Sequence, residues 1–270
     1  MTFNYELSVW GRGTAGLRTG DPTSIRLRRT LKALAPLREG EMALEVGCGA
    51  GQFIRAIKEL RPELVCHGSD ISRKALEQAR KKLDGVLYSE QQGNDLPYAD
   101  GLFSAVVIFD VLEHVDDPTA FLREVNRVLR SGGILYAFVP CEGDVLSFWH
   151  LLKFFNICVN LTEKFAGHIQ YFSRHSLVNL VKSNGFRIKS ISYSEHILGQ
   201  LLGVAAFLSM DVSAKARGLE QINNETYFTE NFGGVRFRWL RRLVNTLIFL
   251  ESFLFRRVPS PNVHLVAEKE

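Results

Sequence analysis

Glu45-Val46-Gly47-Cys48-Gly49-Ala50-Gly51 follows directly on the apolar run Met42-Ala43-Leu44. Three glycines at this spacing, between an apolar strand and a helix from Gln52 to Leu60, make a nucleotide-binding turn. Glycine takes positive φ and carries no Cβ to hold a ligand away. A dinucleotide fingerprint reads G-x-G-x-x-G. Here the third glycine comes one residue early, and Gln52 fills the place where that pattern wants Gly or Ala. The carboxylate of Glu45, ahead of the first glycine, suits a ligand with a positive end, such as an amino group or a sulfonium, better than a pyrophosphate. Asp70 ends a second strand, Leu64 to Ser69, 19 residues beyond Gly51. A carboxylate there accepts hydrogen bonds from ribose hydroxyls in doubly wound nucleotide sites. After a third strand, Val86 to Glu90, comes Gly93-Asn94-Asp95-Leu96-Pro97-Tyr98. An acid beside an aromatic-containing turn can meet an adenine amino group and ring edge.

The elements that must position these residues alternate. A fourth strand, Ser104 to Phe109, runs into Asp110-Val111-Leu112-Glu113-His114-Val115. Pro118 to Arg130 reads as a helix, Ser131-Gly132-Gly133 as a turn, and Ile134 to Val139 as a fifth strand. Strand-helix alternation from Glu41 to Val139 implies a mostly parallel sheet covered on both faces, joined by right-handed crossovers. Arg187 to Ser194 and Asn262 to Glu268 are expected as the last two strands. Ligand then belongs outside the carboxyl ends of the central strands, where the motifs converge.

In that order and spacing the motifs resemble those of the class I S-adenosylmethionine-dependent methyltransferases. The similar segments are Glu45 to Gly51, Gly68-Ser69-Asp70-Ile71-Ser72, Gly93 to Val107, Leu112 to Pro118, and Leu122 to Gly133. His168-Ile169-Gln170-Tyr171-Phe172-Ser173, with Leu177 and Asn184-Gly185-Phe186, is similar to the tail of the same group. The resemblance covers about Glu39 to Glu195 and again Asn262 to Lys269. It implies an α/β fold: a doubly wound, Rossmann-like, seven-stranded sheet of order 3-2-1-4-5-7-6, its last strand antiparallel, with helical insertions. S-Adenosylmethionine is the cofactor so implied. Gly47, Cys48, Gly49 and Gly51 would let the backbone approach its methionine portion, and Glu45 would organise its amino group. Asp70 would take the ribose, Ile71 would pack on adenine, and Asn94, Asp95 and Leu96 would hold the adenine edge, with Phe109 beside them. Asp70 could instead cap the helix beginning at Ser72, and Glu45 could pair with a basic side chain.

The 270 residues suit one domain with insertions, and 46% apolar content supplies a core. Residues 1–38 read as an N-terminal helical extension, and 144–165 and 197–261 as helical lid or insertion segments. Phe148 to Phe155, Ile197 to Met210 and Phe237 to Arg257 carry the apolar runs. Arg236, Arg238, Arg241 and Arg242 flank the start of the last run, Arg256 and Arg257 its end, and Trp239 lies near one end. A basic-edged amphipathic helix of this kind suits a membrane surface. A plain lid over the acceptor pocket, or an oligomer interface, would need the same apolar face. An apolar insertion after strand five followed by Gly167-His168 is also similar to the ubiquinone-biosynthesis O-methyltransferases.

Net charge is +4, with pI near 8.9. Basic residues are scattered apart from Arg26-Leu27-Arg28-Arg29 and the Arg236 to Arg242 cluster. No recognisable nucleic-acid motif interleaves them with base-stacking aromatics, so nucleic acid is not expected as a partner. The four cysteines, Cys48, Cys66, Cys141 and Cys158, show no CxxC pairing, so a reducing cytosol without a zinc site is expected. Thr2 to Glu6 lacks the regions of a signal peptide, and no apolar stretch reaches the ~18 residues of a membrane span. The expected location is cytoplasmic, with the membrane's inner face open as a docking surface.

The implied reaction is methyl transfer to a small or lipid-like acceptor, most simply at oxygen. A hydroxyl acceptor must lose a proton, and histidine titrates near neutrality. Of the seven histidines, His168 is the first candidate base and His114 the second. His114 could equally stabilise the loop after strand four. Asp110, Glu113 and His114 match an acidic-x-x-Glu-His pattern linked to a divalent ion in quinone-modifying relatives. Leu-Glu-His-Val is also common in methyltransferases that need no metal, and no metal is expected. The rival readings are a nicotinamide-dependent reductase, a non-catalytic S-adenosylmethionine-binding module, and a methyltransferase acting on protein or RNA.

Overall fold

A computed structural model describes residues 24–157, 161–218, 227 and 238–270, without the side chains of Arg238 and Arg241. Cys158, Arg236 and most of the expected N-terminal extension lie outside the described residues. Seven strands form one sheet: β1 Met42–Val46, β2 Val65–Asp70, β3 Leu87–Glu90, β4 Phe103–Phe109, β5 Leu129–Pro140, β6 Phe186–Ser194 and β7 Asn262–Lys269. Their order is β3-β2-β1-β4-β5-β7-β6. β1, β2, β3, β4 and β5 pair in parallel, while β7 runs antiparallel between β5 and β6. Order and strand direction match the expectation.

β4 is buried along its whole length, as a central parallel strand covered on both faces should be. Its side chains alternate. Val106 and Ile108 join a core with Leu44, Val46, Phe121 and Leu122, and Ala105, Val107 and Phe109 join another with Ala43, Ile54, Ile57 and Phe138. The helices behind these cores are α1 Ile25–Ala33, α2 Gln52–Leu60, α3 Arg73–Arg80, α4 Pro118–Val128 and α7 Arg174–Ser183. Asp117 starts α4 by accepting from the N–H groups of Thr119 and Ala120, both at 3.0 Å, with Pro118 in the first turn.

The expected helix to Arg130 stops two residues early. Leu129 pairs with Phe103 and Ile134 with Ala105, so the partner jumps and residues 130–133 bow out of the ladder. Gly132, at φ +70°, lets the chain make that excursion. The turn expected at Ser131-Gly132-Gly133 is therefore an irregularity within β5 rather than a separate connection.

The first insertion holds α5 Phe148–Phe154 and α6 Leu161–Ala166, the second α8 Leu198–Arg217 and α9 Arg238–Leu254. Leu161, Phe165, Met210, Ala214 and Tyr227 form a small core joining the two insertions, with Trp149 and Phe207 against it. No helix among the described residues is long and apolar enough to cross a membrane.

Candidate functional site

The glycine turn is held by N–H groups after β1 that donate to acceptors at the end of β2. The N–H groups of Gly47 and Cys48 both donate to the Ser69 carbonyl, at 2.8 and 2.9 Å. Gly49 N donates to Asp70 Oδ2 at 2.7 Å, and Ser72 N to Asp70 Oδ1 at 2.8 Å. One carboxylate thus holds the turn and the start of α3 together. Ser72 itself caps α3 by accepting from Ala75 N, so Asp70 supports that cap from one step back. Gly51 has φ +81°, and a Cβ there would stand 2.5 Å from the Tyr88 hydroxyl.

Glu45 is buried, and its Oε2 accepts from Ile54 N at 2.7 Å. It secures the first turn of α2 to β1 rather than pairing with a basic side chain. Burial pushes its carboxyl well above the usual carboxylate range. Ile71 is exposed beside Asp70. Asn94 and Asp95 lie in the loop after β3, where Asn94 Nδ2 donates to the Asp117 carbonyl at 3.5 Å and Asp95 bridges back to Gln92. Leu96 points into the core, and its N–H donates to Glu124 Oε1 at 2.9 Å. Phe109 stacks on Phe53 of α2, with ring centroids 4.2 Å apart. Cys48 is a buried thiol between turn and core.

A second constellation lies past the ends of β4 and β5. A short 3-10 turn, Leu112–His114, follows Asp110, which is held at φ +51°. Asp110 is paired with Arg26 of α1, whose guanidinium also lies 3.7 Å over the Phe138 ring. Ile169 N and Gln170 N both donate to the Glu113 carbonyl, at 2.8 and 3.0 Å, and zip the segment after α6 onto this turn. The zipper brings two histidines from distant sequence together, with ring centroids 4.9 Å apart and edge to face. His114 Nδ1 donates to the Gly167 carbonyl at 3.0 Å, and His168 Nδ1 faces Glu142 Oε1 at 2.8 Å.

The charges of this cluster oppose one another. Burial and then the neighbouring His168 lower the His114 pKa to about 4. Burial would lower that of His168 too, but the hydrogen bond and charge of Glu142, with Glu113 and Asp110, raise it to about 9. Burial and then the charge of Asp110 push the Glu113 carboxyl up to about 8. Glu113 is fully buried, and neither carboxyl oxygen has a hydrogen-bond partner among the described residues. One ligand-type atom each from Glu113, His114 and His168 lie within 4.8 Å of one another, compact enough to share a proton or to hold a cation. Asp110, turned to Arg26, is outside that group.

Glu142 is the residue that motif reading misses. It stands alone between the end of β5 and the insertion, and only the fold reveals that it faces His168. The glycine turn with Asp70 and Ile71, and the cluster of His114 with His168, both lie beyond the carboxyl ends of the parallel strands.

A family model described as a methyltransferase domain matches residues 23–191. The ubiquinone/menaquinone biosynthesis C-methyltransferase UbiE of Desulfotalea psychrophila is 34% identical over 110 residues, 40% of this chain and 45% of that one. The 27-O-demethylrifamycin SV methyltransferase of Amycolatopsis mediterranei is 32% identical over 138 residues, 49% of each chain. The chain spans about half the length of these curated relatives or less. The solved structure of the (4+2)-cyclase SpnF superposes with a TM-score of 0.57 at 18% identity, over 97% of this chain and 85% of that one, a likeness of fold.

Proposed function

The chain belongs to the class I S-adenosylmethionine-dependent methyltransferases, and on that premise we propose that it methylates a hydroxyl of a small, apolar or lipid-linked acceptor. The observation that carries the reading is the pairing of His114 with His168 across the ends of β4 and β5, in which His168, its pKa raised to about 9, is the stronger base once its ring is neutral. S-Adenosylmethionine, when bound, supplies an electrophilic methyl group. The protein then has to hold an acceptor atom in line behind that methyl, dry and oriented, which can supply roughly 7–11 kcal/mol of the barrier.

In this reading Gly47, Cys48, Gly49 and Gly51 form the wall of the methionine portion, and Glu45 organises its amino end through the anchored start of α2. Asp70 takes the ribose, and Ile71 supplies an apolar face for adenine. Asn94, Asp95 and Leu96 shape the adenine edge, with Phe109 backing the pocket. His168, in the neutral form that grows as pH rises toward its pKa of about 9, takes the hydroxyl proton, and His114, held neutral by burial, lines the same space. The relatives differ in the atom they methylate, carbon in one name and oxygen in another. Oxygen is favoured here because a base adjoins the site.

The apolar side of the reading rests on the insertions. Leu151, Phe154 and Phe155 of the first, and Leu201, Leu202, Leu243, Leu247, Phe253 and Leu254 of the second, expose large apolar side chains. Arg242, Arg256 and Arg257 are exposed beside them. Such a surface suits an acceptor delivered from an anionic membrane face. The direct test of the chemistry is the product itself. The acceptor recovered after reaction should gain one methyl group on oxygen, shown by its carbon chemical shift. A methyl found on carbon or nitrogen contradicts the oxygen assignment.

A further inference from the structure

We infer that Glu142 is a positioning residue for His168: its carboxylate fixes the ring tautomer and turns Nε2 toward the acceptor hydroxyl. The inference rests on the proposed reading of His168 as the base, and extends it to a residue outside every motif. Glu142 is 6% exposed and lies just past β5. Its two oxygens have separate duties. Oε1 lies 2.8 Å from His168 Nδ1, and Oε2 accepts from the Thr162 hydroxyl of α6 at 2.8 Å. A carboxylate oxygen facing a ring nitrogen accepts from it, so Nδ1 carries the proton. In the neutral form of the ring, which grows as pH rises toward its raised pKa of about 9, the lone pair sits on Nε2.

The carboxylate is not free to swing, because Thr162 holds its other end. The Thr162 carbonyl also accepts from His168 N at 3.3 Å, so one residue of α6 clamps both partners. Beyond His168, the backbone of Ile169 and Gln170 is tied to Glu113. The ring is thus set from its Nδ1 edge, from its own backbone and by the His114 ring against it. A carboxylate that holds an imidazole in one tautomer, and balances the imidazolium formed, plays the same part in serine hydrolases. Here the oxygen–methyl bond forms as the carbon–sulfur bond of the sulfonium breaks. The hydroxyl proton passes to Nε2 of the neutral His168 ring, the form that grows as pH rises toward about 9, and no further reagent is needed.

A merely structural Glu142 would only tie the end of β5 to α6, and kinetics separate the two roles. The experiment compares wild type, Glu142→Gln, His168→Ala and the double variant, using the organic-soluble fraction of host extract as acceptor and calorimetry for the cofactor. Glu142→Gln should keep cofactor affinity within about twofold and acceptor KM little changed, while kcat falls roughly 10–100-fold. The double variant should be no slower than His168→Ala, because both substitutions disable one unit. A kcat within about twofold of wild type, losses that multiply in the double variant, or a collapse of cofactor affinity overturns the inference. If Glu142→Gln does not fold, Thr162→Val frees the carboxylate without removing it. It should lower kcat several-fold at unchanged cofactor affinity, and an unchanged kcat overturns the inference. Absence of transfer by the wild type fells the proposed function as well, whereas transfer indifferent to Glu142 fells this inference alone.

Discussion

Asp70 does two jobs with one carboxylate, and its loss has a readable size. It accepts from Gly49 N and Ser72 N, and in the proposed site it also faces the ribose. Asp70→Ala should weaken S-adenosylmethionine binding by ~1.5–3 kcal/mol, roughly 10–150-fold, the scale of a charge-assisted hydrogen bond. Calorimetry showing affinity within about twofold of wild type would refute its role. Two glycines make a sharper contrast. Gly51→Ala would place a Cβ against Tyr88 at φ +81°, whereas Gly93, at φ +58°, has nothing within 4 Å of that position. In denaturant titrations Gly51→Ala should therefore cost about 1–3 kcal/mol more than Gly93→Ala. Equal costs would mean that the turn yields. His264 adds a pH signature. It is buried between the Tyr136 hydroxyl, 2.7 Å away, and the Ser194 hydroxyl, 2.8 Å away. Burial, then Arg29 and Arg26, hold its pKa well below 6.5. A depressed folded-state pKa gives stability that is present above 6.5 and lost as pH falls below it. The fall in Tm from pH 7 to 5 should be shallower in His264→Gln, and an unchanged slope would count against the assignment.

At the scale of elements, a clasp holds α1, β6, α8 and α9 together. Arg29 of α1 donates from Nη2 to the carbonyls of Tyr193 in β6 and Ser252 in α9, at 2.7 and 3.1 Å. Glu251 of α9 accepts from the N–H groups of Ile197 and Leu198, at 2.9 and 3.1 Å, and so caps the start of α8. Arg29→Ala should cost about 1–3 kcal/mol and speed proteolytic cleavage within residues 238–254. An unchanged cleavage pattern would show that α9 is held by other contacts. None of this clasp is legible in sequence, because its partners are backbone groups: carbonyls 164 and 223 residues from Arg29, and N–H groups 54 and 53 residues from Glu251. The strands are legible, because β4 is apolar throughout and β1 runs straight into its glycine turn. The end of α4 is misread for a local reason. Leu129 and Arg130 are good helix formers, but pairing of Leu129 with Phe103 draws the chain into β5.

For the whole molecule, the cofactor half is readable because short motifs at strand ends carry it. The acceptor half is not, because it is assembled from the loop after β4, the end of β5 and the segment after α6. His168 could be nominated from its position, but its neighbours Glu142 and Glu113 emerge only when the zipper of Ile169 and Gln170 is seen. The exposed apolar side chains of both insertions lead to a membrane expectation with its own check. Replacing Phe154 and Leu247 by Asp should lower binding to anionic vesicles by roughly tenfold each, since burial of one such side chain is worth about 1.5–3 kcal/mol. Vesicle flotation that ignores both substitutions would make these helices a lid alone. The most direct measurement is transfer itself: methyl-labelled S-adenosylmethionine incubated with the protein and host extract, then split into organic and aqueous phases. The result expected is label in the organic phase with wild type and its loss with Asp70→Ala. Label confined to the aqueous phase would contradict an apolar acceptor, and cofactor binding with no label in either phase would contradict methyl transfer.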